Sequence, residues 1–168
     1  VAGIGDINGD GHSDILIGAP GTAAGTGKSY VVFGGATGVI DISSTANMGG
    51  TGFVINGINT GDRFGANVSI AGDFNRDGYA DFAMTEPGQG RVQIGFGGYG
   101  IGGLTLGGGT LQINGIAVDP GKQEIPVHHI GDFNGDGISD ILVGSNFANS
   151  GRGEAYILYG KASYAGGS

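Results

Sequence analysis

The sequence has no cysteine, no tryptophan, only four prolines and only 13% charged residues. Without cysteine there is neither a disulfide framework nor a thiolate metal site, and the redox compartment stays open. No apolar run approaches the roughly 18 residues that a membrane helix requires. The scarce charge argues against a disordered polyelectrolyte. Seven Lys and Arg stand against fifteen Asp and Glu, a net charge of −8. That is the wrong sign for gripping phosphate backbones, so nucleic acid is not an expected partner. Val1 opens inside a motif with neither an initiator Met nor a signal peptide, so the chain is expected to be mature or cut from something longer.

Glycine, by contrast, is abundant: 41 of 168 residues. No Gly-X-Y period accompanies it, which excludes collagen, and 39% hydrophobic residues suffice for a core. Self-comparison finds three gapless copies of one pattern: GDINGDGHSDILIGAP from Gly5, GDFNRDGYADFAMTEP from Gly72 and GDFNGDGISDILVGSN from Gly131. Each is followed by an aromatic strand and a glycine: SYVVFGG from Ser29, RVQIGFGG from Arg91 and AYILYGK from Ala155. The first Asp falls at 6, 73 and 132, giving spacings of 67 and 59 residues. A period of that size suits a four-stranded sheet.

Short β-branched or aromatic runs at residues 15–19, 30–33, 53–55, 92–94, 111–113, 141–143 and 156–158 are bounded by Gly, Asn, Asp or Pro and read as strands. No apolar set recurs at helical spacing over ten or more positions, so no helix is expected. Consecutive apolar residues at 15–17 and 141–143 predict strands buried on both faces, as in sheets packed face to face. The chain reads as all-β, with three four-stranded antiparallel units at 1–57, 58–115 and 116–168. The first unit has a truncated first strand and the third lacks its outer strand, leaving eleven strands.

The chemistry lies in D-x-N-x-D-G-x-x-D, present three times. Its side-chain oxygens are Asp6, Asn8, Asp10 and Asp14; Asp73, Asn75, Asp77 and Asp81; and Asp132, Asn134, Asp136 and Asp140. Loop position 7 adds a backbone carbonyl, from His12, Tyr79 and Ile138. The glycine at position 6 (Gly11, Gly78, Gly137) permits the positive φ that folds the loop back on itself. All-oxygen donors favour Ca²⁺ over zinc or copper, and Mg²⁺ prefers fewer protein ligands. For one such loop alone an Asx-rich turn is the weaker alternative; three in register point to three Ca²⁺ sites. They are not EF-hands, because position 12 holds Ile17, Met84 and Val143 where that loop needs Glu.

These residues resemble the FG-GAP repeats of integrin α-subunit β-propellers and of bacterial secreted relatives. The stretch from Gly61 to Pro87 carries both ends of the pattern, with Phe64-Gly65 as FG and Thr85-Glu86-Pro87 as a degenerate GAP. Gly18-Ala19-Pro20 is GAP outright, whereas the third copy has Gln123-Glu124 and Gly144-Ser145-Asn146 in these places. The resemblance implies β-propeller blades, with Ca²⁺ in the hairpin loops between first and second strands. Three blades are too few to close a propeller, so a fragment or an assembly of copies is expected, with an unpaired edge after Tyr159 open to strand addition.

The remaining signals are weak. Residues 95–100 fit G-x-G-x-x-G with Asp119 downstream, but no helix follows. Residues 21–29 miss the phosphate-loop spacing. His128 and His129 are adjacent on a strand and point to opposite faces. Arg76 replaces a glycine of the other loops and reads as a solvated side chain. Tyr30, Phe33, Phe96, Tyr156 and Tyr159 read as sheet packing. The resulting expectation is a non-catalytic, calcium-binding, extracellular module for adhesion or structural assembly, with a protein partner or its own copies. A glycan-binding lectin propeller and the accessory propeller of a secreted hydrolase are the alternatives. Nine of the fifteen acids lie in the loops, and three bound Ca²⁺ would bring the charge from −8 to −2.

Overall fold

A computed structural model describes residues 1–38, 40–42, 48, 50–103, 110–118 and 124–164. Asp119 and Gln123 lie outside these residues. The described residues form eleven strands in three antiparallel sheets. The first sheet holds β1 (Ala2–Gly5), β2 (Asp14–Ala19), β3 (Lys28–Val32) and β4 (Gly52–Asn56) in sequence order. The second repeats the order with β5 (Val68–Gly72), β6 (Asp81–Glu86), β7 (Arg91–Gly95) and β8 (Thr110–Asn114). The third holds β9 (Val127–Gly131), β10 (Asp140–Ser145) and β11 (Glu154–Leu158), with β11 at its edge. The architecture is a partial propeller that does not close on itself.

Side chains alternate across each strand, and two cores fill the spaces between the sheets. Leu16, Val31, Phe53 and Ile55 of the first sheet meet Phe82 and Met84 of the second, with Phe64 wedged between them. On the other side, Ala83, Val92 and Ile94 meet Val127, Ile141 and Val143 of the third sheet. All of β6 is therefore buried.

The outer sheets differ from the sequence expectation. Leu16 is fully buried but its neighbour Ile15 is 43% exposed, and Leu142 is only half-buried between buried Ile141 and Val143. Only the middle sheet has a sheet packed on each face, so apolar runs alone do not guarantee two-sided burial.

Helix is also present in small amounts. Thr22–Gly25 (α1) and Ala148–Gly151 (α2) are single turns joining second to third strands, and Pro87–Gln89 and Ala162–Tyr164 form 3₁₀ turns. Within α1, Ala23 and Ala24 take left-handed angles (φ 50° and 56°), so no amphipathic face develops. No helix among the described residues is long and apolar enough to cross a membrane. Phe33 packs edge to face on Phe53, with centroids 5.9 Å apart. Tyr159, expected inside a sheet contact, is instead 49% exposed.

Candidate metal centres

Each D-x-N-x-D-G-x-x-D segment is the loop joining the first strand of a sheet to the second. The strand register slips just before each loop, at Gly3/Gly5, Ile70/Gly72 and His129/Gly131, the last opposite Asp140/Ile141. This bulge swings the following Asp into the turn.

Inside the loop, a carboxylate gathers backbone N–H groups. Asp6 Oδ1 accepts from Gly9 and Asp10 at 2.7 and 3.1 Å, and its Oδ2 accepts from Gly11 at 2.9 Å. Asp132 repeats all three bonds with Gly135, Asp136 and Gly137, and Asp73 repeats those from Asp77 and Gly78. The next two side chains follow suit, as Asn8 Oδ1 accepts from Asp10 N–H and Asp10 Oδ1 from His12 N–H. The position-6 glycines have φ of 87°, 92° and 82°. The Asn8 amide and the His12 N–H hold the Asp10 carboxyl below its ordinary value.

The last Asp ties the loop to the rest of its sheet. Asp14 accepts from Ile7 N–H at 2.9 Å and from Gly34 N–H at 2.8 Å. Asp81 does so with Phe74 and Gly97, and Asp140 with Phe133 and Gly160. Gly34, Gly97 and Gly160 directly follow the third-strand segments, and a Cβ there would overlap a backbone oxygen at 2.3–2.4 Å. Only glycine permits this approach. The signal for these residues was present in the sequence: every copy follows its aromatic strand with glycine. Burial raises the Asp14 carboxyl, opposed by the Gly34 and Ile7 N–H groups. At Asp81, burial and then repulsion from Asp77 outweigh the backbone N–H bonds and push the carboxyl up to about 7.

All fifteen sequence-assigned residues thus fall in three equivalent loops, five to a loop. The donors of a loop are carboxylate, amide and carbonyl oxygens, a set that suits a hard divalent cation. Among the described residues no three Asp, Glu or His side chains converge into a ready-made ion cage. The carboxylates are turned to backbone N–H groups, and the amides of Asn8, Asn75 and Asn134 donate to Asp10, Asp77 and Asp136 at 2.8–2.9 Å.

His128 and His129 pair with Leu142 and Ile141 respectively, on opposite faces of the third sheet, and both are exposed. Arg76 is exposed and left-handed (φ 60°) where the other loops have Gly9 (φ 75°) and Gly135 (φ 80°).

The FG-GAP repeat model matches residues 1–32, 64–102 and 129–158. The phosphatidylinositol-glycan-specific phospholipase D of Mus musculus is 29% identical over 165 residues, covering 91% of this chain and 19% of that protein. Its Homo sapiens counterpart is 30% identical over 169 residues with the same coverage. Integrin alpha-IIb of Mus musculus is 31% identical over 102 residues, covering 53% of this chain and 9% of the integrin. The chain therefore spans a fifth or less of the length of these relatives. With three matched segments that together take in more than half of its residues, one for each sheet, the chain belongs to the FG-GAP repeat family.

Proposed function

We propose that this chain is a non-catalytic calcium-binding module that works outside cells in adhesion or structural assembly. One observation carries the reading: three loops with the same all-oxygen donor set are wound by the same pair of N–H bonds onto the first loop Asp, at the same hinge of three sheets. Asp6, Asn8, Asp10, the His12 carbonyl and Asp14 would hold the ion in the first loop. Asp73, Asn75, Asp77, the Tyr79 carbonyl and Asp81 would do so in the second, and Asp132, Asn134, Asp136, the Ile138 carbonyl and Asp140 in the third. The ion supplies positive charge to carboxylates that otherwise repel one another, and so fixes the hairpin. Such sites suit the high free Ca²⁺ outside cells. Thermal melting with Ca²⁺ and with chelator tests this: a clear rise in melting temperature with Ca²⁺ is expected, and coincident curves would overturn it.

Glycan binding is a second reading, favoured by a cleft of about 710 Å³ beside the first loop. Its walls include Phe33, Tyr99 and Ile101 with Asn8, Asp10 and Thr51, a mix of apolar faces and polar atoms suited to a sugar ring. Saturable binding on a glycan array would establish it, and Tyr99→Ala would abolish it. The phospholipase relatives, matched over 19% of their length, support a third reading, in which such a module accompanies a hydrolytic domain.

A further inference from the structure

The sequence places glycine directly after asparagine four times, at Asn8, Asn56, Asn114 and Asn134. Glycine has no Cβ to shield its nitrogen, so that nitrogen can attack the preceding side-chain amide and turn it into an acid. The attack needs a glycine N–H that no acceptor holds.

Three of the four are held. Gly9 and Gly135 each donate to a loop carboxylate, that of Asp6 and of Asp132, at 2.7 Å. Gly57 donates to the Gly27 carbonyl at 3.0 Å. Gly115 has the place in the second sheet that Gly57 has in the first, since Asn56 pairs with Lys28 and Asn114 with Arg91. There the matching carbonyl, that of Gly90, accepts instead from Ile116, one residue later, at 3.0 Å. The Gly115 N–H is left without an acceptor among the described residues. Asn114 and Gly115 are both exposed, and a Cβ on Gly115 (φ 88°) would meet nothing within 4 Å. A ring has room to close.

A second feature favours reaction at this pair. The Arg91 guanidinium donates from Nε to Asn114 Oδ1 at 2.8 Å. Attack on Cγ puts negative charge on that oxygen, and a cationic donor already aimed at it lowers the barrier. In the loops, Asn8 Oδ1 and Asn134 Oδ1 accept only neutral backbone N–H groups, from Asp10 and Asp136.

We propose that Asn114 is a self-modification site, converted by the Gly115 nitrogen to aspartate and isoaspartate. Hydroxide removes the Gly115 amide proton, the nitrogen bonds to Asn114 Cγ, and the Cγ–Nδ2 bond breaks to release ammonia. Water then opens the succinimide ring at either carbonyl, and the nitrogen regains its proton. Asparagine and water thus become a carboxylic acid and ammonia, with nothing oxidised or reduced.

Either product sets a carboxylate beside Arg91, whose Nη1 donates to buried Glu86 at 3.1 Å. Isoaspartate also adds a methylene to the main chain just before Ile116, which is 6% exposed in the core between the second and third sheets. Conversion therefore loosens the chain where it leaves the second sheet for the third. The reaction needs no bound ion and stands apart from the calcium reading.

Incubation at mildly alkaline pH followed by peptide mapping reads the proposal, with isoaspartyl methyltransferase marking the isoaspartate. In the folded chain, conversion at Asn114 should outrun that at Asn8, Asn56 and Asn134 about tenfold or more, the factor that one hydrogen bond to be broken corresponds to. In urea all four should convert at similar rates. Arg91→Gln should lower the ratio of Asn114 to Asn56 conversion in the folded chain and leave it unchanged in urea. Asn114→Gln should remove the early product. A folded chain that converts first at another pair, or converts all four alike, overturns the site. A folded-state ratio unchanged by Arg91→Gln overturns the part given to the guanidinium.

Discussion

The carboxylate of Asp81 accepts the backbone N–H of Gly97 at 2.8 Å, tying the second acidic loop to the end of the third strand in the same sheet. A Cβ on the same glycine would meet the Ala80 oxygen of its own sheet at 2.3 Å and the Ile7 oxygen of the neighbouring sheet at 2.8 Å. Gly97→Ala must therefore move backbone in two sheets, and a loss of about 2 kcal/mol or more is expected. Gly98→Ala, where a Cβ meets nothing within 4 Å, is the matched control. Urea unfolding of both variants checks this, and equal midpoints would contradict it.

Arg76 occupies the left-handed region (φ 60°) at the tip of the second loop, with its side chain in solvent. A residue with a Cβ pays roughly 1–2 kcal/mol for that conformation, and glycine is freed of most of it but costs more to order on folding. Arg76→Gly, which copies the first and third loops, should stabilise the chain by about 0.5–1 kcal/mol. Calorimetric melting reads the gain. Arg76→Val should move the melt the opposite way, since β-branching makes positive φ worse.

The position and shape of the acidic loops were legible because their information is local: the Asp and Asn spacing, the obligatory glycine and the following strand all lie within about a dozen residues. Strand count and order were legible for the same reason, since each repeat supplies its own turns. Burial was not. Ile15 and Ile141 occupy the same place in their repeats, yet one is 43% exposed and the other fully buried, because exposure depends on which sheet lies alongside. The loop-to-sheet bonds of Ile7 and Phe74 join residues far apart in the chain through backbone atoms that carry no sequence signature. Left-handed Arg76 was hidden likewise: the replacement of glycine was visible, but not that the chain keeps the glycine conformation regardless.

Glu86 is fully buried and its Oε1 has no hydrogen-bond partner among the described residues, while Oε2 accepts from Arg91 at 3.1 Å and from Gln93 at 3.2 Å. Burial raises its carboxyl above the ordinary value of 4.5, opposed by Gln93 and Arg91 and reinforced by Asp62. The folded chain thus binds this proton more tightly than the unfolded chain. The charged form costs stability above the folded value, and that cost is relieved as pH falls through it. Glu86→Gln removes the titration. Its stability relative to wild type should therefore be greatest near about pH 8 and decline towards about pH 4. Denaturant unfolding across that range checks the sign, and a difference independent of pH would refute it.

If the three loops are independent cation sites, stoichiometry will show it. Asp10, Asp77 and Asp136 occupy the same loop position, and Asp10 and Asp77 accept the N–H two residues on at 2.8 and 2.9 Å, as Asp136 does from Ile138 at 2.9 Å. Alanine at any one of them removes a carboxylate from a single loop. Calorimetric titration with Ca²⁺ should give three equivalents for the wild type and two for each of Asp10→Ala, Asp77→Ala and Asp136→Ala. Filling one site to a hundred times its dissociation constant adds about 2.7 kcal/mol, so each variant should also lose part of the calcium-dependent rise in melting temperature. The triple variant should bind no Ca²⁺ and melt at the same temperature with and without chelator. Three equivalents in any single variant would show that its loop does not hold an ion through that carboxylate.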